Sequence, residues 1–144
     1  EISGGCNNVF VENCKMDSPN LDRVIRIKTN SCRGGVTENI YARNIEVGQC
    51  GSEVLKINLK YDPKEVYGRG HNPIVRNVYL ENITCKKSKY GVNIVALEDA
   101  PNVYNIHVNN CNFTGVTTSP VIVSGWTHDL DFKGLVVNGK PVAE

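Results

Sequence analysis

Two basic side chains, two positions apart, are the residues whose types and spacing most clearly suggest chemistry. Arg26 and Lys28 stand in the strand-like run of residues 23–29. Because side chains alternate along a strand, both cations point to one side, while Ile25 and Ile27 point to the other. A guanidinium can bind a carboxylate through two hydrogen bonds, and an ammonium adds a compact charge. The spacing predicts a site for an anionic group; the alternative is a solvated outer face.

Other residues able to do chemistry are scattered along the chain. The three histidines, at positions 71, 107 and 128, stand far apart in the sequence. No group of His, Cys, Asp and Glu residues has the spacing of metal ligands. The sequence therefore predicts no metal site and no cofactor.

A repeated pattern indicates which elements position these side chains. Segments that begin at positions 8, 39, 77, 105 and 129 follow one plan, and the spacing between them is 24 to 38 residues. In each segment the first and third following positions are apolar and flank an outward position, as in a strand with one buried face. Five positions into each segment stands a residue that tolerates a left-handed backbone, which predicts a sharp corner between two short strands. These corner residues are Asn13, Asn44, Asn82, Asn110 and Gly134.

A second strand-like run lies midway through the repeats, at residues 24–28, 54–59, 92–97 and 121–123. Repeats of this length are typical of solenoids, in which each unit buries its apolar face against its neighbours. We therefore predict an all-β fold, a parallel β-helix of about five coils with a ladder of asparagines, in one domain over residues 1–144. A β-sandwich is the alternative, but it does not explain the asparagine column.

Composition and charge narrow the functional classes. The chain has 16 basic and 15 acidic side chains, a net charge of +1, which does not favour nucleic acid or a membrane surface as a partner. No apolar run approaches the roughly 18 residues that a membrane-spanning helix needs, and no signal-peptide pattern opens the sequence.

The six cysteines include no Cys-x-x-Cys pair. Cys14, Cys85 and Cys111 fall in columns that point inward, so we interpret them as small buried hydrophobic residues. We place the other three in turns and leave their pairing open: Cys6, Cys32 and Cys50.

The residues around the two cations resemble those of a known family. The Arg-Ile-Lys motif, the preceding segment at residues 18–23 and Tyr61 one coil later resemble the C-terminal part of the polygalacturonases, glycoside hydrolase family 28. The resemblance is closest to bacterial members and extends to about Val142. It implies a right-handed parallel β-helix in a secreted or periplasmic protein that hydrolyses α-1,4-galacturonosyl bonds of pectin with inversion. It also implies that Arg26 and Lys28 bind a uronate carboxylate and that Tyr61 lines the sugar site.

The catalytic motifs of that family are absent from this sequence. In the family, aspartates in Asn-Thr-Asp and Asp-Asp and a histidine in Gly-His-Gly precede the Arg-Ile-Lys motif, and none of these motifs occurs here. Inversion needs an acid and a base carboxyl group about 6.5 to 9.5 Å apart, and the spacing of Asp22 and Asp62 predicts no such pair. We expect the chain to begin just after the histidine motif, to be the C-terminal coils of a larger domain, to contain no catalytic residue and to be inactive alone.

Residues 61–73 form the longest insertion in the repeats. Loops inserted in solenoids commonly build the wall of a binding site. Tyr67 and Arg69 are therefore candidates for contact with a sugar or uronate, whereas we interpret His71 as an ordinary loop histidine.

Two other functions stay open. A non-catalytic β-solenoid would bind acidic polysaccharide or be purely structural, and a pectate lyase would need a calcium site built from several carboxylates, which no spacing here predicts. The expected partner is galacturonan or a related pectin, with no nucleic acid and no membrane. We also expect self-association through the exposed edge of the N-terminal coil, residues 8–16.

Overall fold

Two β-sheets make up the fold. The computed structural model describes residues 1–143, and these contain strands but no helix, so no helix among them could span a membrane. The strands are β1 (Gly4–Met16), β2 (Ile25–Lys28), β3 (Gly35–Val47), β4 (Glu53–Asn58), β5 (Ile74–Cys85), β6 (Ser88–Val95), β7 (Val103–Asn109), β8 (Asn112–Phe113), β9 (Val116–Ser124), β10 (Thr127–Asp131), β11 (Val136–Val137) and β12 (Lys140–Pro141).

Equivalent positions of successive repeats pair with each other. In the larger sheet, Val9 pairs with Ile40, Ile40 with Val78 and Val78 with Ile106, all in parallel register. The smaller sheet has the order β2-β4-β6-β9 and is parallel throughout. The chain therefore winds from one sheet to the other and back, which is the parallel β-helix that the repeats predict.

The predicted corners have left-handed backbones. Their φ angles are 56° for Asn13, 57° for Asn44, 53° for Asn82, 51° for Asn110 and 71° for Gly134. The side-chain amide of Asn44 donates to Asn13 at 3.1 Å, and that of Asn82 donates to Asn44 at 2.8 Å. This ladder confirms the predicted role of the asparagine column.

A second left-handed column, which the sequence analysis did not predict, stands at the first position of each repeat. Its φ angles lie between 53° and 58°, and its amides also form a ladder, with Asn105 donating to Asn77 at 2.7 Å and Asn77 to Asn39 at 3.3 Å. Each long strand of the larger sheet is therefore bent twice. The residues of this column are Asn8, Asn39, Asn77, Asn105 and Asp129.

The core lies between the two sheets. The inward columns predicted from the repeats are buried in the middle of the stack, and their side chains include Ile40, Val78, Ile106 and Leu80. Removing a side chain of this size from water contributes about 1.5–3 kcal/mol of stability. Phe113 is the largest fully buried side chain.

The three cysteines predicted to point inward lie in the core or against it. Cys85 and Cys111 are buried, Cys14 is partly buried against the core, and all six thiols are free. Burial raises the pKa of Cys111 to about 11, so this thiol is protonated and chemically inert at neutral pH. The placement of Cys6 in a turn is wrong: it lies in β1, because the strand extends back to Gly4 by pairing with β3.

The outward column of the larger sheet is an aromatic stack. Ring centroids are 4.9 Å apart between Phe10 and Tyr41, 5.1 Å between Tyr41 and Tyr79, and 4.9 Å between Tyr79 and His107. Asp131 continues the column through a 2.9 Å contact with His107 Nδ1. Because the inner rings cover one another's faces, this column stabilises the stack and offers little flat surface to a ligand.

Candidate functional site

Strand β2 presents Arg26 and Lys28 on the outer face of the smaller sheet. Ile25 and Ile27 are buried in the core, whereas Arg26 is exposed and Lys28 is partly exposed. The alternation predicted from the sequence is therefore present, and burial of the two isoleucines fixes the direction of both cations.

Tyr61 brings the cations into one cluster. The Lys28 ammonium lies 4.3 Å from the centroid of the Tyr61 ring, and the guanidinium carbons of Arg26 and Arg33 lie 5.9 and 5.2 Å from it. Distances within about 6 Å allow attraction between a cation and an aromatic ring. The structure thus brings together the three residues singled out in the sequence and adds a fourth, Arg33.

The backbone of Tyr61 is held on the neighbouring coil. Its N–H donates to the carbonyl oxygen of Thr29 at 3.1 Å, and its carbonyl oxygen accepts from the side chain of Asn30 at 2.9 Å. Thr29 and Asn30 are both buried. The ring position therefore depends on residues that directly follow the Arg-Ile-Lys strand.

Asn30 connects the turn after β2 to the inserted loop. Its Oδ1 accepts from the backbone N–H groups of Cys32 at 2.9 Å and Arg33 at 3.2 Å. Its Nδ2 donates to the carbonyl of Tyr61 and to Oε2 of Glu65, each at 2.9 Å. A buried amide with both donors and its acceptor used is fully satisfied, so it fixes the geometry of both segments.

Glu65, from the inserted loop, orients Arg33. Its Oε2 accepts from Nε of Arg33 at 3.0 Å and lies 3.0 Å from Nη2 of the same guanidinium. Hydrogen bonds from Asn30 and Arg33 lower the pKa of the Glu65 carboxyl, so it is charged at neutral pH. The remaining terminal nitrogen of Arg33, Nη1, makes no contact with Glu65 and lies 3.6 Å from Oε1 of Glu1.

A carboxylate of the chain itself lies at this cluster. Oε1 of Glu1 is 3.6 Å from Nη1 of Arg33 and 3.9 Å from Nζ of Lys28. The Tyr61 hydroxyl, followed by the charges of Lys28 and Arg33, lowers the pKa of this carboxyl. The cluster is therefore chemically suited to an anionic carboxylate.

Lys56 extends the basic face, but its charge is already neutralised. It pairs across the sheet with Arg26, and its ammonium lies 3.3 Å from Glu53, a carboxylate with a side chain only 2% exposed. Glu53 also accepts from Arg23 at 2.6 Å and from Asn93 at 2.9 Å. Burial opposes ionisation of Glu53, but the hydrogen bonds and positive charges outweigh it and lower its pKa.

Arg26, unlike Lys56, has no ion pair and no hydrogen bond to its side chain within residues 1–143.

A cavity of about 270 Å³ lies on the loop side of Tyr61. Arg69 lines it, and the Arg69 guanidinium donates to the carbonyl oxygens of Pro63 at 3.3 Å and Glu65 at 2.6 Å. The insertion thus forms part of the lining of this cavity, and residues of two other segments form the rest. Tyr67 is 91% exposed and does not line the cavity, and His71 contacts the neighbouring turn through its backbone N–H.

The two aspartates considered as catalytic groups have structural contacts. Asp22 lies 3.2 Å from the guanidinium of Arg23, and Asp62 has a left-handed φ of 50° in a turn closed by the N–H of Glu65. In the part of the chain that the structure describes, no three His, Cys, Asp or Glu residues are arranged to hold a metal ion.

Arg33, Asn30 and Glu65 were not found from the sequence. They lie in a turn and a loop, where no periodic pattern indicates direction. The one usable signal was an asparagine directly after a cationic strand, since Asn often organises turns through its side chain.

Comparison with known proteins gives a match to a solved structure. No model of a protein family matches the chain, and no curated protein matches it. The crystal structure of a hyperthermoactive exopolygalacturonase from Thermotoga maritima is similar, with a TM-score of 0.80 and 32% sequence identity. The match covers 99% of this chain and 30% of that enzyme, so the chain spans just under a third of the enzyme's length. This similarity in fold and sequence confirms that the chain resembles the polygalacturonases of glycoside hydrolase family 28.

Proposed function

We propose that this chain forms the uronate-binding part of a polygalacturonase-like glycoside hydrolase that acts on galacturonan or a related pectin. In this proposal, Arg26 and Lys28 bind a carboxylate of the polysaccharide, and Tyr61 lines the sugar site. The observation that supports it best is the cluster of cations around the Tyr61 ring, where the carboxylate of Glu1 lies.

The two cations of β2 are suited to this role because they are available. Arg26 is exposed, and the ion pair of Lys28 with Glu1 is long, at 3.9 Å, with the Glu1 side chain 52% exposed. A ligand carboxylate can therefore replace a weak contact without breaking a buried ion pair. Charge-assisted hydrogen bonds to such groups contribute about 1.5–3 kcal/mol each.

We further propose that residues 1–144 are C-terminal coils of a larger domain, which is secreted or periplasmic, and that they do not cleave pectin alone. The match to 30% of the exopolygalacturonase supports the first part. The second is supported by the carboxylates beside the cluster, since the pKa values of Glu1 and Glu65 are both lowered. A carboxyl group that is ionised well below neutral pH is a poor general acid.

A non-catalytic protein that binds acidic polysaccharide is the alternative, because the same cluster would serve binding without hydrolysis. Self-association also stays a prediction. It concerns the isolated chain, in which β1 pairs with β3 on one edge only. Light scattering of the purified chain tests it, and a monodisperse monomer would contradict it.

The test of binding is calorimetric titration of the chain with trigalacturonate. We expect the Arg26→Ala and Lys28→Ala variants to bind at least about tenfold more weakly than the wild type. Lys15→Ala is the matched control, because Lys15 is 84% exposed on the other sheet and pairs only loosely with Glu46, at 3.7 Å. Equal binding by all variants, or no binding by the wild type, would contradict the proposed site.

Hydrolysis is tested separately by incubating the chain with polygalacturonate. We expect no new reducing ends. Reducing ends that disappear in the Arg26→Ala variant would show that a catalytic pair is present, and unsaturated ends would identify a lyase.

A further inference from the structure

Arg33 is a largely but not fully buried cation at the edge of the cluster. Its side chain is 14% exposed, less than the 20% of Lys28, and its guanidinium carbon lies 5.2 Å from the centroid of Tyr61. An arginine this deeply placed normally has a partner for each edge of its guanidinium, since an unpaired buried charge is costly. The arrangement of these partners indicates what the remaining edge can bind.

One edge of this guanidinium is fully occupied. Nε of Arg33 donates to Oε2 of Glu65 at 3.0 Å, Nη2 lies 3.0 Å from the same oxygen, and that oxygen also accepts from Asn30 at 2.9 Å. Glu65 is thereby tied to a buried amide as well as to the arginine. The guanidinium plane is therefore fixed before any ligand arrives, which reduces the conformational entropy lost on binding.

The remaining edge faces a carboxylate. Nη1 of Arg33 lies 3.6 Å from Oε1 of Glu1, and the same oxygen lies 3.9 Å from Nζ of Lys28. Both distances are longer than the 2.7–2.9 Å of a good charge-assisted hydrogen bond. The Glu1 carboxylate thus marks a position between two cations that it does not fill tightly.

We propose that Arg33 is a third carboxylate-binding residue of this site, oriented by Glu65, and that a uronate carboxylate binds between Arg33 and Lys28 where the Glu1 carboxylate lies. This inference rests on the proposed function, because it names a further residue for the same ligand. Glu65 acts as a positioning residue, and Glu1 occupies the place of the ligand in its absence.

The experiment is calorimetric titration with trigalacturonate of the wild type, Arg33→Ala, Arg33→Lys and Arg43→Ala. Arg43→Ala is the matched control, because it removes the same charge at a half-exposed arginine that pairs with Glu12 on the other sheet. We expect binding by Arg33→Ala to be about 10- to 100-fold weaker, and binding by Arg43→Ala to stay within about twofold of the wild type. Arg33→Lys keeps the charge but loses the two-point contact with Glu65, so its affinity should fall between these values.

The loss of affinity in Arg33→Ala could also come from a change in folding, so a second variant leaves Arg33 and Glu65 unchanged. Glu1→Gln is expected to bind trigalacturonate about two- to fivefold more tightly, because the competing carboxylate is gone while all cations stay in place. Weaker binding by Glu1→Gln would overturn the position assigned to the ligand.

The outcomes separate this inference from the proposed function. If Lys28→Ala loses affinity but Arg33→Ala binds like the wild type, Arg33 is not a ligand and the proposed function stands. If the wild type does not bind trigalacturonate, both fail.

Discussion

The Lys28 ammonium lies 4.3 Å from the centroid of the Tyr61 ring, although the two residues belong to different coils. The contact exists because the backbone N–H of Tyr61 donates to Thr29, the residue after Lys28. The β-helix therefore turns two positions that are distant in sequence into one surface, with the ring held among cations that would otherwise repel each other.

Tyr61 should affect binding mainly through its ring. Replacing Tyr61 with Leu removes the aromatic face and should weaken binding of trigalacturonate about tenfold, since each cation contact at a partly exposed ring contributes about 0.5–1 kcal/mol. Tyr61→Phe keeps the ring and should lose less. Calorimetric titration of both variants tests this, and equal affinities for the leucine and phenylalanine variants would show that the ring does not contribute.

Asn30 should control the inserted loop. Asn30→Asp keeps the size of the side chain but removes two donors and puts a negative charge beside Glu65, so we expect a loss of about 3 kcal/mol in the free energy of unfolding. Trypsin should also cut after Lys64 about ten times faster, because the loop loses its attachment. Urea denaturation and limited proteolysis measure the two effects.

The control for this change is Asn20→Asp, which alters an exposed residue of a turn. It should stay within about 0.5 kcal/mol of the wild type. A similar loss of unfolding free energy in both variants would mean that Asn30 does not hold the inserted loop.

Glu53 should make stability depend on pH. Because its pKa is lowered in the folded protein, its contribution is present above the unfolded pKa of about 4.3 and is lost as the pH falls through the folded value. Glu53→Gln should cost about 3 kcal/mol at pH 7, since Arg23 and Lys56 lose their buried partner.

Urea denaturation of the wild type and Glu53→Gln between pH 3 and 7 checks this expectation. The difference between the two should shrink toward acid pH, whereas Glu46→Gln, which alters an exposed pair, should change stability by less than about 0.5 kcal/mol at every pH. A difference that grows toward acid pH would contradict the sign of the shift.

Two substitutions of the corner residue Asn44 separate the contribution of its left-handed backbone from that of its ladder hydrogen bonds. Asn44→Gly keeps the left-handed backbone and loses only the ladder contacts with Asn13 and Asn82, so we expect a cost of about 1 kcal/mol. Asn44→Ala also forces a left-handed φ on alanine, which adds about 1–2 kcal/mol. Thermal or urea denaturation gives the order, and an alanine variant as stable as the glycine variant would show that the backbone is not strained there.

The column of corner residues that includes Asn44 already contains one glycine. Gly134 has a φ of 71°, and a Cβ at this position would lie 2.5 Å from Oδ1 of Asn110. A larger residue at position 134 would therefore collide with the side chain of Asn110.

The alternation of side chains explains why part of the site could be predicted. In a strand, burial of Ile25 and Ile27 requires that Arg26 and Lys28 point outward, so residue types alone give the direction. The corner at Asn13 and its equivalents was found because asparagine and glycine share a backbone preference. The corner at Asn8 and its equivalents was missed, since these residues served only as the start of each repeat.

The rest of the site depends on contacts between segments that the sequence does not relate. Arg33 and Glu65 meet because a turn and an inserted loop stack on adjacent coils, and Asn30 holds both. None of the three belongs to a periodic pattern. Their positions follow from packing in three dimensions rather than from local preference.

The most direct test of the central claim compares trigalacturonate with its fully methyl-esterified form in calorimetric titrations of the wild-type chain. The two ligands share the sugar rings but differ in charge, so a site built on cations should bind the ester at least about tenfold more weakly and should lose affinity for the acid with added salt. Equal binding of the acid and the ester would show that the cations around Tyr61 do not recognise a carboxylate.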